Sequence, residues 1–448
     1  MRRSLLRRML PVLAGKSTPW IFYVDATLGD DDNDGTSPAT AWQTVAKVNA
    51  ATLLPGQRVL FKRGGTFAGQ LTPTDSGESG NPITYGAYGV GAHPIIDGSA
   101  ESYGFYNIAY NFLRLEHLDF AGSNERQPLF SYDTHGHYIY DCIIRDSYTG
   151  MSGLYVKGYN ITFEDCEIKN NYKSGALLSD NTNYNILFLN CNAHDNGHDV
   201  YADHGFYIAG GVTLDGCTAT DNSGAGFKMN DNDTEPSHYP VVKNSNGSGN
   251  NYGLLFTHKN AEAYNNLLVG NLDCNLLFYG NPWGGYKCYF NTLVNSVSAS
   301  ERGMVFTSGV SANSEVKNNI IVQDQAVITL GAMHTTIAMA TLAANYDIDY
   351  NLYYTAGGNA ASLSFGYDDT DIAEGRQSWN DWQGAGHDAH STFLANTPDF
   401  VTRYTDLHPA AGGDLKAKGV AIAGYMLDKD GNTRADPPTQ GCYEEAAA

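Results

Sequence analysis

Four consecutive stretches of the sequence share one pattern: YIYDCIIRDSYTGMSGLYV (138–156), ITFEDCEIKNNYKSGALL (161–178), ILFLNCNAHDNGHDVYADHGFYI (186–208) and VTLDGCTATDNSGAGFKM (212–229). Their cysteines lie 24, 25 and 26 residues apart, at Cys142, Cys166, Cys191 and Cys217. Each stretch runs from a short alternating strand, through Asn or Asp and then Gly, to a second alternating strand. A period of about 25 residues that carries two or three strands predicts a parallel β-solenoid.

The pattern continues from 241–256 towards 316–323, where no cysteine falls at this step of the period. It predicts an all-β protein, a parallel β-helix whose coils occupy residues 83–354, about eleven coils at roughly 4.8 Å each. Like residues then stack along the axis, so the four cysteines form a buried column of thiols. Zinc is not expected there, because the sequence contains no C-x-x-C pair.

Both ends of a solenoid need a cap, since an open end exposes unpaired backbone. Residues 20–82 supply the N-terminal cap and the first strands, and TAWQTVAKVNAAT (40–52) places Trp42, Val45, Ala46 and Asn49 at the spacing of an amphipathic cap helix. Residues 355–448 lose the period and predict an irregular C-terminal cap. Residues 1–19 are a basic N-terminal arm or a processed segment, with five of the 27 Lys and Arg side chains.

Charge and composition narrow the class of partner. The chain has 27 Lys and Arg against 48 Asp and Glu, a net charge of −21, which argues against binding to nucleic acid. No window approaches the roughly 20 apolar residues of a membrane span. The seven cysteines are an odd number and cannot all pair in disulfides, so they do not decide the redox compartment.

The flanks of the repeat carry a resemblance to a known group. The segments YVDATLGDDDNDGTSPATAWQTVAKVNAATLLPGQRVLFKRGGTF (23–67), NPITYGAYGVGAHPIIDGS (81–99) and DKDGNTRADPPTQGCYE (428–444) resemble secreted bacterial right-handed parallel β-helix proteins that act on polysaccharides. The resemblance implies a right-handed coil and an extracellular or secreted protein, with a phage virion as the alternative. It does not select a reaction, because lyases, hydrolases and phage tail depolymerases share these flanks.

A solenoid presents its chemistry on an outer face, where neighbouring coils place their outward side chains side by side. Alignment of the coils on Gly153, Gly175, Gly205, Gly226 and Gly253 predicts the outward columns. The first column contains Tyr155, Leu177, Tyr207, Lys228 and Leu255, and the second contains Lys157, Ser179, Ala209, Asn230 and Thr257. With Asp231, His258 and Lys259, these columns bring several polar side chains within a few coils of Lys228.

Lys228 lies in GAGFKM (224–229), which together with HYPVVKNS (238–245) and NNYGLLF (250–256) resembles the catalytic coil of polysaccharide lyase family nine. The resemblance implies that Lys228, in its unprotonated form, removes the C5 proton of a uronic acid in an acidic polysaccharide. Tyr207 or His258 then protonates the leaving oxygen. The side chains expected to bind substrate are Tyr155, Lys157, Asn230, Asp231 and Lys259.

The resemblance also implies calcium, which neutralises the sugar carboxylate. Family members carry Asp-Asp-Gly-aromatic-Asp one coil before the lysine, whereas this chain has Asp203, His204, Gly205, Phe206 and Tyr207, so only the first aspartate matches. Asp199 can join Asp203 as a calcium ligand, because calcium accepts irregular sets of six to eight oxygens. A lysine base also needs its pKa, ordinarily about 10.4, lowered by desolvation or by nearby cations. Lys157, His258 and Lys259 are the cations expected to crowd it.

Two other functions stay open. Asp180 and Asp231 fall in one outward column two coils apart, roughly 9.6 Å, which is close to the carboxylate spacing of an inverting glycoside hydrolase or a phage-type depolymerase. A non-catalytic glycan-binding rod would use the 30 tyrosines as stacking surfaces. The net charge of −21 opposes a polyanionic substrate, so the lyase hypothesis requires a bound cation or a local cluster of lysines.

Overall fold

The computed structural model describes residues 20–230, 238–257, 259–279, 284–295 and, in shorter stretches, parts of 302–444. Within them the chain coils around three parallel sheets, called sheets 1, 2 and 3 in the order in which each coil visits them. This architecture confirms the predicted parallel β-helix.

The strands of each sheet pair with the equivalent strands of neighbouring coils. Sheet 1 contains Ile21–Val24, Arg58–Lys62, Ile83–Tyr88, Leu113–Glu116, Tyr138–Tyr140, Tyr184–Leu189, Val212–Asp215, Val241–Lys243, Glu262–Tyr264, Lys287–Tyr289, Ser314–Lys317 and Tyr346–Asp349. Sheet 2 contains Thr66–Ala68, Ile95–Asp97, Asp119–Ala121, Ile143–Arg145, Glu167–Lys169, Asn192–His194, Thr218–Thr220, Asn246–Ser248, Leu267–Val269, Thr292–Asn295, Ile320–Gln323, Leu352–Thr355 and Thr392–Leu394. Sheet 3 contains Phe105–Ile108, Leu129–His135, Ala176–Leu178, Phe206–Ile208, Ala225–Met229, Tyr252–Phe256, Cys274–Phe278, Arg302–Phe306, Ile328–Ala332 and Leu363–Tyr367.

Four further strands complete this inventory. The long strand Leu154–Glu164 joins sheet 3 through its first residues and sheet 1 through its last. Arg376–Gln377 pairs antiparallel with Leu363–Tyr367, and Phe400–Thr402 forms a separate antiparallel pair with Asp406–Pro409.

The core consists of like residues stacked from coil to coil. Phe163 stacks on Phe188 with ring centroids 4.4 Å apart, and Phe256 stacks on Phe278 at 4.7 Å. Such stacks form because parallel strands lie about 4.8 Å apart and the sequence repeats once per coil.

The turns between sheets 1 and 2 repeat one backbone conformation. Each places a residue at positive φ, between 46° and 66°, at His117, Asp141, Asp165, Asn190, Gly216, Asn244, Asn265, Phe290, Asn318 and Tyr350. Asn, Asp and Gly tolerate this left-handed region best, which explains why they recur in the sequence at this step of the period.

The predicted column of thiols is confirmed. All seven cysteines are buried and unpaired by disulfides, and burial raises the pKa of Cys142 and Cys166 well above the ordinary value. Later coils fill the same position with Ser245 and then with asparagines. Asn266 donates to Asn291 at 2.9 Å, which continues the stack as a ladder of side-chain amides.

The N-terminal cap contains one short α-helix, α1 (Val45–Asn49), after a 3₁₀ turn at Pro38–Thr40. Thr44 caps α1 by accepting the backbone N–H of Lys47 at 3.1 Å. The helix is shorter than the predicted stretch, because Trp42 forms a β-bridge with Val24 instead. No helix in the described part of the chain is long and apolar enough to cross a membrane.

Parallel pairing reaches beyond residues 83–354 at both ends, since Ile21–Val24 pairs with Arg58–Lys62 and Leu352–Thr355 pairs with Thr392–Leu394. The C-terminal segment 415–444 returns along the flank between sheets 1 and 2. Its buried Arg434 donates to the Asn265 side chain at 2.9 Å. A cavity of about 340 Å³ lies between this segment and the coils.

Candidate functional site on the outer face of sheet 3

Lys228 lies on the strand Ala225–Met229 of sheet 3. Its neighbours Phe227 and Met229 are fully buried in the core, so strand alternation turns Lys228 towards the outer face. The register pairs Lys228 with Tyr207 on one side and with Leu255 on the other. The predicted first column, Tyr155, Leu177, Tyr207, Lys228 and Leu255, therefore agrees with the observed register.

The Lys228 ammonium is partly buried, and no carboxylate of the described residues pairs with it. Its Nζ lies 4.4 Å from the centroid of the Tyr207 ring. In the described part of the chain, no ion pair or hydrogen bond involves Lys228. Burial lowers its pKa below the ordinary value of 10.5. A larger fraction of this lysine is therefore neutral at a given pH than of an exposed one.

His204 is the buried neighbour of Lys228 and Tyr207. Its Nδ1 accepts the backbone N–H of Ala225 at 2.9 Å, which leaves the ring proton on Nε2. That Nε2 has no partner among the described residues. Burial, reinforced by the charge of Lys228, lowers the pKa of His204 to about 3, so the ring is neutral.

The sequence shows only that His204 differs from the residue that the lyase motif has at this position, and it predicts no role for this histidine. The structure adds that His204 and Tyr207, which stand where the motif has aspartates, contact each other edge to face with ring centroids 5.5 Å apart. Two neutral rings thus replace two carboxylates next to Lys228.

The remaining predicted residues around Lys228 are only partly described. Tyr207 is half-buried, and burial raises its pKa, so its phenol stays protonated. Asn230 is buried, and its Nδ2 has no partner among the described residues. Lys259 lies in the turn before Glu262–Tyr264. Asp231 and His258 lie outside the described residues.

Lys157 does not crowd Lys228 as the sequence predicted. Its Nζ lies 2.8 Å from Asp180 and 5.2 Å from the centroid of the Tyr132 ring. The hydrogen bond to Asp180 raises the pKa of Lys157. Three strand-to-strand steps, roughly 14 Å, separate this part of the face from Lys228. Burial, rather than a neighbouring lysine, is the cause of the lowered pKa of Lys228.

Asp180 is one of the two carboxylates predicted for a hydrolase, and it is the residue that pairs with Lys157. Burial alone would raise its pKa, but hydrogen bonds from Lys157 and Thr182 outweigh burial and lower it. An inverting hydrolase requires one carboxyl group with a raised pKa to act as general acid. Asp180 is thus not suited to that role.

The calcium ligands predicted at Asp199 and Asp203 lie in one loop. Asp203 Oδ2 accepts the backbone N–H groups of His198 and Asp199 at 3.0 and 2.9 Å, and Asp199 Oδ1 accepts that of Tyr201 at 2.8 Å. Within the described residues, neither belongs to a group of three converging His, Cys, Asp or Glu ligand atoms. These two carboxylates do not by themselves form a cage of six or more oxygens, and calcium stays a prediction.

Aromatic rings stack from coil to coil on the outer surface of sheet 3 and at its junction with sheet 1. Tyr106 and Tyr155 flank Phe130 with centroids 5.6 Å away on each side, and Tyr159 stacks on Tyr184 at 4.7 Å. A sugar between two rings needs about 7 Å, twice an ordinary contact distance. The ring faces that point towards each other are therefore occupied, and stacking between coils accounts for this arrangement without a glycan.

The fold and the site together define a parallel β-helix protein whose candidate chemistry lies on an open sheet face. Residues 22–253, just over half of the chain, match the family described as "Pel9A-like, right handed beta helix region", and the protein belongs to that family. The match confirms the right-handed coil and the predicted relationship to pectate lyase-like proteins.

Solved structures show the same fold. Pectate lyase Pel9A is 19% identical with a TM-score of 0.55, and the match covers 96% of this chain and 98% of that one. A rhamnogalacturonan lyase is also 19% identical with a TM-score of 0.55, over 67% of this chain and 87% of that one. Lacto-N-biosidase from Bifidobacterium longum subsp. longum is 40% identical over 72 residues, 15% of this chain and only 4% of that protein.

Proposed function

We propose that this protein is a polysaccharide lyase that cleaves a uronic-acid-containing polysaccharide by β-elimination, with Lys228 as the base. The observation that carries the proposal is the state of Lys228. It faces outwards on sheet 3, has no carboxylate partner among the described residues, and has a pKa lowered by burial. Membership of the Pel9A-like family and the fold shared with two proteins named as lyases support it.

The proposed step moves two protons. Neutral Lys228 takes the proton from the carbon next to the sugar carboxyl group, the bond from the neighbouring carbon to the glycosidic oxygen breaks, and a carbon–carbon double bond forms. Tyr207, whose raised pKa keeps its phenol protonated, donates to the departing oxygen. Water then returns the proton from Lys228 to Tyr207.

Substrate contacts extend from Lys228 along the sheet. Asn230, on the next outward position after Lys228, offers a buried amide donor that has no partner among the described residues. The alignment of the coils predicts three more side chains at the Lys228 end of the proposed site, namely Lys259, Asp231 and His258. Tyr155 and Lys157, roughly 14 Å away, would contact sugar units farther from the cleaved bond.

The developing charge on the sugar carboxylate needs a positive partner. Calcium held by Asp199 and Asp203 would supply it only if further oxygens, from substrate or water, completed the shell. The neutral His204 and Tyr207 beside Lys228 make this arrangement different from the family motif. An extracellular or secreted location, where such polymers occur, is part of the proposal, and a phage virion is the alternative.

The test is incubation of the protein with polyuronates of different sugar composition, with and without calcium. A lyase produces an unsaturated end that absorbs in the ultraviolet, and Lys228→Ala should abolish this signal while Lys157→Ala retains it. New reducing ends without absorbance would instead indicate a hydrolase, with Asp180→Asn or Asp231→Asn as the inactive variants. If no product forms from any of these polymers, the remaining function is that of a non-catalytic glycan-binding rod.

A further inference from the structure

A second cluster of reactive side chains lies away from Lys228, at the edge between sheets 1 and 2. It consists of His93, His117 and Asp141, all half-buried. Asp141 Oδ2 lies 3.0 Å from His93 Nε2 and 2.7 Å from His117 Nδ1. One ligand atom from each residue lies within 4.8 Å of the other two.

Three successive coils hold this cluster in place. His117 and Asp141 occupy equivalent turns at positive φ, and the backbone N–H of His117 donates to Tyr140 O at 3.0 Å. The sheet 2 strands that follow the three residues, Ile95–Asp97, Asp119–Ala121 and Ile143–Arg145, pair directly with one another. The ladder of backbone hydrogen bonds therefore sets the spacing of the three side chains.

The donor set suits a transition metal. Two imidazole nitrogens and a carboxylate oxygen are ordinary ligands of Zn²⁺, with bonds of about 2.0–2.1 Å, and two ligands of a tetrahedral ion lie about 3.3 Å apart. Small side-chain rotations would bring the present contacts of 2.7 and 3.0 Å to that spacing. Water can fill the fourth position.

His194 shows how an ordinary histidine–carboxylate contact differs. It also touches two carboxylates, Glu167 at 3.0 Å and Asp195 at 2.7 Å, but through opposite ring nitrogens. Its two acids therefore lie on opposite sides of the ring and cannot share one ion. At Asp141, one nitrogen from each of two rings faces the same oxygen.

We propose that His93, His117 and Asp141 bind a divalent transition-metal ion of the Zn²⁺ type, which clamps three N-terminal coils together. The ion would be structural and independent of the lyase reaction, since Lys228 lies on sheet 3 several coils further along the axis. It differs from the calcium considered above in both position and ligand chemistry.

The experiment compares Zn²⁺ binding by the full-length protein and by three variants after treatment with a chelator. Calorimetric titration against a competing chelator should show one more tightly bound equivalent in the wild type than in His117→Ala or Asp141→Asn, whose affinity at this site falls at least about tenfold. Zn²⁺ should raise the Tm of the wild type by more than that of these two variants. His194→Ala, the matched control, should behave as the wild type does.

Two results would overturn the proposal: a wild type that binds no Zn²⁺, or an Asp141→Asn variant that keeps the wild-type stoichiometry and affinity. Asp141→Asn preserves the shape of the side chain, so it decides the matter even if His117→Ala fails to fold. Circular dichroism of each variant without metal checks that the coils are intact.

Discussion

Two lysines on the outer face of sheet 3 have nearly the same local setting and opposite properties. Lys157 lies over the ring of Tyr132 at 5.2 Å, and Lys228 lies over that of Tyr207 at 4.4 Å. The carboxylate of Asp180 raises the pKa of Lys157, whereas burial lowers that of Lys228. The carboxylate, rather than the residue type or the aromatic neighbour, therefore separates a paired lysine from a candidate base.

The neighbouring coils produce this difference. Asp180 reaches Lys157 from the following coil, at 2.8 Å. Lys228 meets the neutral rings of Tyr207 and His204 instead, from the preceding coil. A carboxylate at either of these positions would attract the ammonium and favour its protonated form.

The strongest predicted effect is the loss of activity on removal of the base. Lys228→Ala should lower kcat/KM for the cleaved polyuronate at least about 100-fold, because general-base catalysis contributes about 10²–10⁴. Lys228→Arg should be equally inactive, since the guanidinium stays protonated. Lys157→Ala should keep most of kcat. The rate at which the ultraviolet-absorbing product forms measures the activity of all three variants. Equal losses of activity in Lys157→Ala and Lys228→Ala would contradict the proposed difference between the two lysines.

A smaller loss is expected when only the proton of Tyr207 is removed. Tyr207→Phe keeps the ring next to Lys228 and should lower kcat about 10- to 100-fold if the phenol protonates the leaving oxygen. The matched variant Tyr155→Phe, in the same outward column, should mainly affect KM. If Tyr207→Phe keeps the wild-type kcat, a group other than Tyr207 protonates the leaving oxygen.

The pH profile tests the same difference between the two lysines. Activity requires neutral Lys228, so kcat/KM should rise with pH, with a midpoint below the 10.5 of an ordinary lysine because burial lowers this pKa. His204→Asp would place a carboxylate beside Lys228 and should move the midpoint to higher pH. Asp180→Asn, which removes the partner of Lys157, is the control that should leave the midpoint unchanged. A midpoint unmoved by His204→Asp would contradict the role given to the neutral ring.

The weakest predicted effects concern stability. A lysine whose pKa is lowered on folding costs stability at every pH below its folded pKa, and the cost fades as pH rises through the folded and then the unfolded value. Lys228→Met should therefore stabilise the fold at pH 7, by up to about 1 kcal/mol. Lys157 has a raised pKa and contributes stability below its unfolded pKa, which is lost as pH rises through the folded value.

The matched change Lys157→Met should destabilise by no more than about 1 kcal/mol, since the Lys157–Asp180 pair is partly exposed and screened by solvent. Urea unfolding of both variants at neutral pH measures the change in the free energy of unfolding, which should be positive for Lys228→Met and negative for Lys157→Met. Destabilisation by Lys228→Met would mean that its ammonium is better solvated than the structure indicates.

Much of the fold follows from one periodicity in the sequence. Because a parallel coil repeats about every 25 residues, the spacing of Cys142, Cys166 and Cys191 predicts both their stack and the register of the outward columns. The same period predicts that Tyr207 lies beside Lys228. Where the period fails, prediction fails with it: α1 is shorter than the apolar spacing suggests, and the return of segment 415–444 along the coils leaves no repeating signal.

The amino-acid sequence alone specifies the coiled architecture, the outward direction of Lys228 and its neighbours in the column, because strand alternation and a fixed period are local properties. Which lysine is paired and which is desolvated depends on the folded molecule, since Asp180 and His204 reach the two lysines through side-chain conformations and burial that no spacing encodes. The contact between His93 and Asp141 is of the same kind. These residues lie 48 positions apart, in coils two steps from each other, and the side-chain conformations in the folded molecule bring them into contact.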